Sequence, residues 1–165
     1  MILRLSLDLP EDEAYIRTSR LLSRCLLEDI SVDSGTIQDV ENIVSELCSN
    51  VVRHAASKAT RFQVILDYYQ PKVVITVTDT GKGFDVDHVP EPGTVRPDGK
   101  GGQRYGGFGL SILEGLSDKI DFSETDPHGT TVRIEKKLHY QSESDAANAA
   151  RRDKDNGGSV SASVK

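Results

Sequence analysis

A long apolar stripe between about residues 36 and 56 constrains the fold of this chain more than any other feature of its sequence. Its members recur at steps of three and four residues: Ile37, Val40, Val44, Leu47, Val51 and Ala55. This spacing predicts an amphipathic α-helix whose apolar side spans an arc of about 100°. Because such a helix buries its stripe against a second layer of structure, we expect the core to lie beneath it.

Two β-strands are predicted directly after this helix, because apolar residues there alternate with polar ones. A turn at Gln70-Pro71 separates the two strands, and the spacing predicts an antiparallel hairpin. The alternating positions are Phe62, Val64, Leu66 and Tyr68 in the first strand and Val73, Ile75 and Val77 in the second.

Further elements are predicted on both sides of this centre. They are an alternating strand at 3–9, a helix that Pro10-Glu11-Asp12 opens and that ends within 29–35, a short helix at about 108–117, and strands at 119–125 and 129–138. Adjacent hairpins with interspersed helices favour an α+β fold. We therefore expect a two-layer sandwich with helices on one face of a mixed, mainly antiparallel sheet.

Two segments lack this periodicity. Residues 85–105 are rich in proline and glycine, and a loop of some twenty residues inside a compact domain is usually functional, often as a lid. From Tyr140 onward the chain is dominated by Ser, Ala, Asn, Asp and Arg, too polar to order itself by burial. We expect one domain at 1–139, with a lid at 85–106, and a disordered tail at 140–165.

Composition excludes several classes of function. The net charge is −6 and no basic run stands out, which argues against a dedicated nucleic-acid binder. No apolar run approaches the roughly 20 residues of a membrane span. Cys25 and Cys48 both lie in segments with helical patterns, so we expect two reduced, buried thiols in a cytoplasmic protein.

Glu46, Asn50 and His54 form a polar column on the long helix, because they are spaced four residues apart. The column borders the apolar stripe, and asparagine gains nothing locally in a helix interior. The amide oxygen of Asn50 is a suitable hard ligand for Mg²⁺, and the carboxylate of Glu46 could orient or deprotonate a nucleophile. The alternative is a half-exposed polar helix edge without chemistry.

A glycine-rich turn follows the second hairpin strand, in the order Asp79-Thr80-Gly81-Lys82-Gly83. Asp79 at the strand end is a fixed hydrogen-bond acceptor, suited to an amino group such as the exocyclic amine of adenine. Gly81 and Gly83 allow a sharp turn and a close approach of backbone to a ligand. The alternative is an ordinary turn with an aspartate cap.

A second glycine cluster, Gly106-Gly107-Phe108-Gly109, leads into the short helix and could expose N–H groups to phosphate. Lys100 and Arg104 stand upstream of it, and either could contact a γ-phosphate. The alternatives are a flexible hinge and two solvated loop cations. Gly129-Thr130-Thr131-Val132, at the start of the last strand, is by itself ordinary strand sequence.

The combination of these motifs is far more specific than each part. Glu-x-x-x-Asn on a helix, Asp-x-Gly-x-Gly after a strand, Gly-x-Gly before a helix and Gly-Thr before a late strand occur in this order. The chain resembles the Bergerat-fold ATP-binding superfamily of gyrase B, MutL, histidine-kinase catalytic domains and Hsp-type chaperones. Within it, the chain is most similar to the bacterial anti-sigma-factor serine kinases, over roughly residues 1–138.

The resemblance implies a role for each matching position. Asn50 would ligate Mg²⁺, and Glu46 would act as general base or orient the attacking hydroxyl. Asp79, with Thr130 through water, would hold the adenine amino group in a pocket shaped by Gly81 and Gly83. The phosphate contacts would come from the backbone of Gly107 and Gly109 and from the side chain of Arg104, under the lid.

The same resemblance implies an activity and its partners. The chain would be a serine/threonine protein kinase that uses Mg·ATP, phosphorylates a STAS-type anti-sigma-factor antagonist and, as a homodimer, sequesters a sigma factor. Three alternatives stay open: a nucleotide-dependent binding module without phosphotransfer, the catalytic half of a two-component histidine kinase, and a sheet protein without a nucleotide site. Loss of signalling on Glu46→Ala would separate the kinase from the binding module.

Overall fold

The computed structural model describes residues 1–54, 61–79, 94–97, 103–106, 108–124 and 129–142. Ten elements lie within these ranges: β1 (Leu3–Pro10), α1 (Ala14–Asp29), α2 (Ser34–His54), β2 (Arg61–Tyr69), β3 (Lys72–Asp79), β4 (Thr94–Pro97), β5 (Gln103–Gly106), α3 (Phe108–Leu116), β6 (Lys119–Glu124) and β7 (Thr130–Lys137). None of the helices among the described residues is long and apolar enough to span a membrane.

Five strands form one open sheet in the order β1-β2-β3-β7-β6, and each neighbouring pair is antiparallel. The register aligns the apolar rows of the strands, as at Leu5, Leu66, Ile75 and Ile134. The predicted α+β class is therefore confirmed, and every pairing in the described part of this sheet is antiparallel.

The core lies between this sheet and the helices. Val40, Ile43 and Val44 of α2 are completely buried, together with Leu27 of α1 and the apolar row of β2 and β3. Because alternate strand residues point to one face, these contacts place the helices on that single face. The predicted stripe of α2 is thus buried in the core from Ile37 to Leu47, with Val51 packed against it, and Ala55 lies outside the described residues.

The opposite face of the sheet is mostly polar, although Val74 is buried there. Arg4 donates two hydrogen bonds to Asp67, from Nε at 2.6 Å and from Nη2 at 2.8 Å. The hydrogen bond from Arg4 outweighs the effect of burial and holds the pKa of Asp67 below its usual value. Lys72 contacts Glu135 at 2.5 Å on the same face.

An aspartate caps the N-terminus of α2. Oδ1 of Asp33 accepts hydrogen bonds from the backbone N–H groups of Gly35 at 2.9 Å and Thr36 at 3.0 Å, and Oδ2 accepts one from the Thr36 hydroxyl. Burial alone would raise the pKa of Asp33, but these hydrogen bonds lower it. This cap satisfies N–H groups that have no partner within the helix.

Several predicted boundaries need correction. Pro10 ends β1 opposite Arg61, and helix α1 begins only at Ala14, whose N–H group donates to Oδ1 of Asp12. The segment at 85–105, predicted as a loop, contains the short antiparallel pair β4 and β5. Cys48 is buried as expected and burial raises its pKa to about 11, whereas Cys25 is exposed.

Residues on both sides of the predicted domain end at 139 contact the rest of the domain. Residues 138–142, here called the strap, connect the β2–β3 turn to the α1–α2 loop. Leu138 N–H donates to Pro71 O, and Gln141 N–H donates to Ser31 O. The hydroxyl groups of Tyr140 and Tyr68 lie 3.0 Å apart. Residues 140–142 of the predicted tail thus take part in these contacts, and the rest of the predicted tail, 143–165, lies outside the described residues.

Candidate functional site

The polar column predicted on α2 lies at the edge of the helix–sheet interface. Glu46 and Asn50 are both partly buried, whereas Leu47 beside them is in the core. The side chain of Glu46 is 19% exposed, so its carboxylate is largely shielded from solvent while remaining reachable. His54, the third residue of the column, is the last residue of α2, and residues 55 and 56 of the predicted helix lie outside the described residues.

Arg53 joins the two predicted side chains. Its Nη1 atom lies 3.4 Å from Oε1 of Glu46 and 3.4 Å from Oδ1 of Asn50. Sequence reasoning missed this residue, although it lies three positions after Asn50 and seven after Glu46, which places it on the same helix face. Both oxygen atoms proposed for chemistry therefore face one cation in the described structure.

Gly109, in the first turn of α3, packs directly against Glu46. A Cβ atom built on Gly109 would lie 2.2 Å from Oε1 of Glu46 and 3.0 Å from its Cδ. No side chain can occupy this position without displacing the carboxylate. A glycine predicted for phosphate contact is thus also the residue that lets α3 approach the carboxylate of α2.

Asp79 and Thr130 come together at the ends of neighbouring strands. Thr78 is paired with Thr131, with their Oγ1 atoms 3.0 Å apart, so the register continues to Asp79 and Thr130. These two residues lie on the face that the helices cover, since Val77 and Val132 share it. Thr130 is buried, and Asp79 is partly buried.

The start of β7 depends on glycine. Gly129 has a φ of 152°, a conformation that residues with side chains rarely adopt. Gly129 directly precedes Thr130, so this conformation accounts for the glycine in the Gly-Thr pair of the sequence. The glycine permits this backbone conformation directly before Thr130, the first residue of β7.

The structure describes only part of the predicted site. Gly81, Gly83, Gly107 and Lys100 lie outside the described residues. Arg104 lies in β5, opposite Arg96. The described residues of the site form two groups on the helix-covered side of the sheet. The first group is Glu46, Asn50 and Gly109, together with Arg53. The second group is the strand-end pair of Asp79 and Thr130.

The donor set of the first group fits a magnesium ion that a nucleotide brings with it. Across the described ranges, no group of three or more His, Cys, Asp or Glu side chains could hold a metal ion. Mg²⁺ commonly takes one or two protein oxygen ligands and obtains the others from phosphates and water. The amide oxygen of Asn50, beside the carboxylate of Glu46, meets that requirement.

Comparison with known proteins supports the α+β fold described above. The model of a family described as "Histidine kinase-like ATPase domain" matches residues 9–136. The protein named Serine-protein kinase RsbW of Halalkalibacterium halodurans is 27% identical over 122 residues, which are 73% of this chain and 75% of the relative. RsbW of Bacillus velezensis is 26% identical over 139 residues, or 82% and 86% of the two chains.

Solved structures share the fold at lower identity. The RsbU and RsbW domains of a Mycobacterium tuberculosis protein match with a TM-score of 0.59 and 21% identity, over 82% of this chain and 32% of that chain. The SiaB–SiaC complex from Pseudomonas aeruginosa matches with a TM-score of 0.60 and 13% identity, over 79% and 88%. Because the family model covers most of the chain, this protein belongs to the family of histidine kinase-like ATPase domains, with the Bergerat fold.

Proposed function

We propose that this protein is an anti-sigma-factor serine/threonine kinase that transfers the γ-phosphoryl group of Mg·ATP to a STAS-type antagonist. The observation that carries the proposal is the placement of Glu46, whose carboxylate lies against Gly109 and one helical turn before Asn50. Nucleotide binding alone does not need a carboxylate there. The relatives named serine-protein kinases support the same activity.

The chemical step needs one proton acceptor. The hydroxyl oxygen of the acceptor serine or threonine attacks the γ-phosphorus, the bond to the bridging oxygen breaks, and ADP leaves. The hydroxyl proton passes to the carboxylate of Glu46. Mg²⁺, held by Asn50 and the phosphates, would supply charge neutralisation at the phosphoryl group.

The adenine end of the nucleotide is assigned to the strand-end pair. Asp79 would accept a hydrogen bond from the exocyclic amine, and the buried Thr130 would support the same contact through water. The support for this assignment is the register, which sets the two residues side by side on the helix-covered face. Gly81, Gly83, Gly107 and Arg104 complete the proposal, as pocket glycines, a phosphate-binding glycine and a γ-phosphate contact.

One observation favours a second candidate, a nucleotide-dependent binding module without phosphotransfer. Arg53 contacts the carboxylate of Glu46, so Oε1 of Glu46 already faces a cation instead of an acceptor hydroxyl as long as the contact persists. Both candidate functions use Asn50 and Asp79 to bind the nucleotide, but only the kinase uses Glu46 as a proton acceptor.

The regulatory part of the proposal concerns protein partners. The nucleotide-bound protein, as a homodimer, would sequester a sigma factor until the unphosphorylated antagonist displaces it. This part rests on the resemblance to the anti-sigma-factor kinases, and the relatives named Serine-protein kinase RsbW support that resemblance.

The proposal is tested by incubating the protein with γ-labelled ATP, Mg²⁺ and STAS-domain proteins from the same genome. We expect label on a serine or threonine of one of them. Nucleotide that is bound while every STAS protein stays unlabelled would contradict the kinase and leave the binding module. An absence of nucleotide binding would contradict both candidates.

A further inference from the structure

A groove of about 350 Å³ lies between the N-terminal half of α1 and the C-terminal end of α2. This volume is within the range of small-molecule sites, which is about 300–1,000 Å³. Three of the residues that line the groove are arginines, although the whole chain has a net charge of −6. The lining residues are Glu13, Ile16, Arg17, Arg20, Ser49, Val52 and Arg53.

The positive charges of the groove outnumber its negative charges. Arg17, Arg20 and Arg53 share the lining with one carboxylate, that of Glu13, which leaves a formal excess of two positive charges. Arg17 is exposed, and no ion pair within the described ranges uses it. Because like charges around one small volume repel each other, an anion between them would be bound favourably.

Arg20 is poorly satisfied in its present position. Its Nε atom is buried without a hydrogen-bond partner in the described part of the chain, and its Nη2 atom lies 3.7 Å from Oε1 of Glu41. Glu41 has a closer partner in Arg24, which donates to its Oε2. A rotation of the Arg20 side chain into the groove would let Nε and Nη2 bind one anion together, while Arg24 keeps Glu41 paired.

Arg53 belongs both to the groove and to the candidate functional site. It lines the groove, and its Nη1 atom lies 3.4 Å from Oε1 of Glu46 and 3.4 Å from Oδ1 of Asn50. The side chain of Arg53 is 53% exposed, so it is free to move between the two places. An anion in the groove would attract Arg53 away from Glu46 and Asn50 and expose their oxygen atoms to other ligands.

We propose that this groove is a binding site for a small dianion of the phosphate type, and that its occupancy favours the binding of Mg·ATP. Both ligands bind best when Arg53 has left Asn50, so each raises the affinity for the other by the same factor. The binding of the dianion is independent of the proposed function, whereas the coupling rests on Asn50 as the magnesium ligand.

The chemistry of the lining favours a phosphate group. Guanidinium groups bind phosphate oxygens in pairs of hydrogen bonds, and two negative charges balance the formal excess in the groove. The hydroxyl of Ser49 is a further donor, and Ile16 and Val52 provide an apolar wall for the organic part of a phosphate monoester. An acidic protein segment would distribute its charges over successive side chains, whereas these arginines surround one small volume.

Binding is tested without nucleotide, by titration with sodium phosphate at constant ionic strength while backbone amide signals are followed by NMR. We expect saturable shifts at residues 16–17 and 49–53, and no such shifts with sodium chloride. Arg17→Gln should weaken this binding by about tenfold, because a charge-assisted hydrogen bond is lost. Arg61→Gln is the matched control, since it removes the same charge from β2 outside the groove and should leave the binding unchanged.

Phenyl phosphate, the second probe, separates two sources of the phosphate group. Tighter binding than that of inorganic phosphate supports a monoester with an organic part, and equal binding supports free phosphate. Either result supports the site.

Coupling is measured as the Kd of a fluorescent, non-hydrolysable ATP analogue at a fixed concentration of free Mg²⁺, with and without phosphate. We expect phosphate to lower this Kd about fivefold in wild type and in Arg61→Gln. In Arg17→Gln, the same phosphate concentration should lower it much less, because the groove of this variant binds the anion more weakly.

Each outcome supports or overturns one claim. Equal phosphate binding by wild type and Arg17→Gln, or no saturable shifts at the groove, overturns the site. Shifts with an oligoglutamate peptide but not with phosphate also overturn it and assign the groove to an acidic segment of a partner protein. Phosphate that competes with the ATP analogue, or leaves its Kd unchanged, overturns the coupling. A protein that binds phosphate in the groove but no nucleotide overturns the proposed function and leaves the site.

Discussion

Gly109 has room for no side chain because the carboxylate of Glu46 occupies the space where its Cβ atom would be, 2.2 Å from Oε1. This relationship ties α3 to α2 at the residue proposed to accept the proton. A substitution at Gly109 therefore tests the position of Glu46 without changing any titratable group.

We expect Gly109→Ala to lower the rate of phosphoryl transfer by about 10- to 100-fold, because a displaced base loses its alignment with the hydroxyl. The change should appear in kcat more than in the Kd for ATP. Gly115→Ala is the matched control in the same helix, since nothing lies within 4 Å of its added Cβ atom. Equal kinetics in both variants would show that the Gly109 contact has no role in transfer.

Arg53 should oppose magnesium binding at Asn50. Its Nη1 atom lies 3.4 Å from the oxygen that would ligate the ion, and two cations at one oxygen repel each other. For Arg53→Gln we predict that half-maximal nucleotide binding requires about three- to tenfold less Mg²⁺. A titration with a fluorescent ATP analogue measures this.

Arg17→Gln is the control for Arg53, because both arginines line a groove of about 350 Å³ between α1 and α2. The substitution Arg17→Gln removes the same charge from the groove but leaves the contact between Arg53 and Asn50 in place. If both variants required equally less Mg²⁺, the total positive charge of the groove, and not the contact between Arg53 and Asn50, would determine the Mg²⁺ requirement.

The ion pair of Arg4 with Asp67 should stabilise the sheet in a pH-dependent manner. Asp67 is 5% exposed, so Arg4→Met leaves a buried carboxylate without its bidentate partner and should lower the free energy of unfolding at pH 7. The lowered pKa of Asp67 means that this contribution is present above its unfolded pKa, about 4, and is lost as pH falls below it.

Urea unfolding at pH 7 and at lower pH measures the difference between wild type and Arg4→Met, which should shrink upon acidification. Arg61→Met is the control, because the Arg61–Asp8 pair is more than half exposed on both sides and should contribute at most about 1 kcal/mol. A difference that is the same at every pH would contradict the role of Asp67.

The strap at 138–142 should contribute to the stability of the folded domain. We expect a chain ending at Ser142 to retain the wild-type unfolding free energy. Ending the chain at Lys137 removes the buried Leu138 and the hydrogen bonds of the strap, and should destabilise the domain measurably in thermal unfolding. Equal stability of the two truncated proteins would contradict this.

Tyr140→Phe tests one contact of the strap. The hydroxyl of Tyr68, which is 6% exposed, would lose its partner, and we expect a loss of about 1 kcal/mol. Burial, with the Tyr68 hydroxyl, raises the pKa of Tyr140 to about 12. A wild-type and a Tyr140→Phe protein with the same melting temperature would show that the contact contributes nothing.

The periodicity of the sequence predicted those features that are determined within a single helix or by two successive strands. The Glu46–Asn50 column and the buried stripe of α2 follow from the 3.6-residue repeat, and the hairpin around Pro71 follows from alternation. The pairing order of the sheet needed the structure, because strand β7 inserts between β3 and β6.

Contacts between distant segments could not be predicted in this way. Glu46 and Gly109 are 63 positions apart, and no local pattern indicates that they meet. Strands β4 and β5 have four residues each, too few to show an alternation. The strap was missed because its sequence is polar, although Tyr140 and Gln141 connect to residues more than seventy positions earlier.

The most direct measurement of the central claim is single-turnover phosphorylation of the antagonist by wild type and by Glu46→Gln, with bound ATP quantified in the same samples. We predict that Glu46→Gln binds ATP as wild type does but transfers phosphate about 10²- to 10⁴-fold more slowly. Asp79→Asn should instead lose ATP affinity. Equal transfer rates for wild type and Glu46→Gln at equal occupancy would contradict the account.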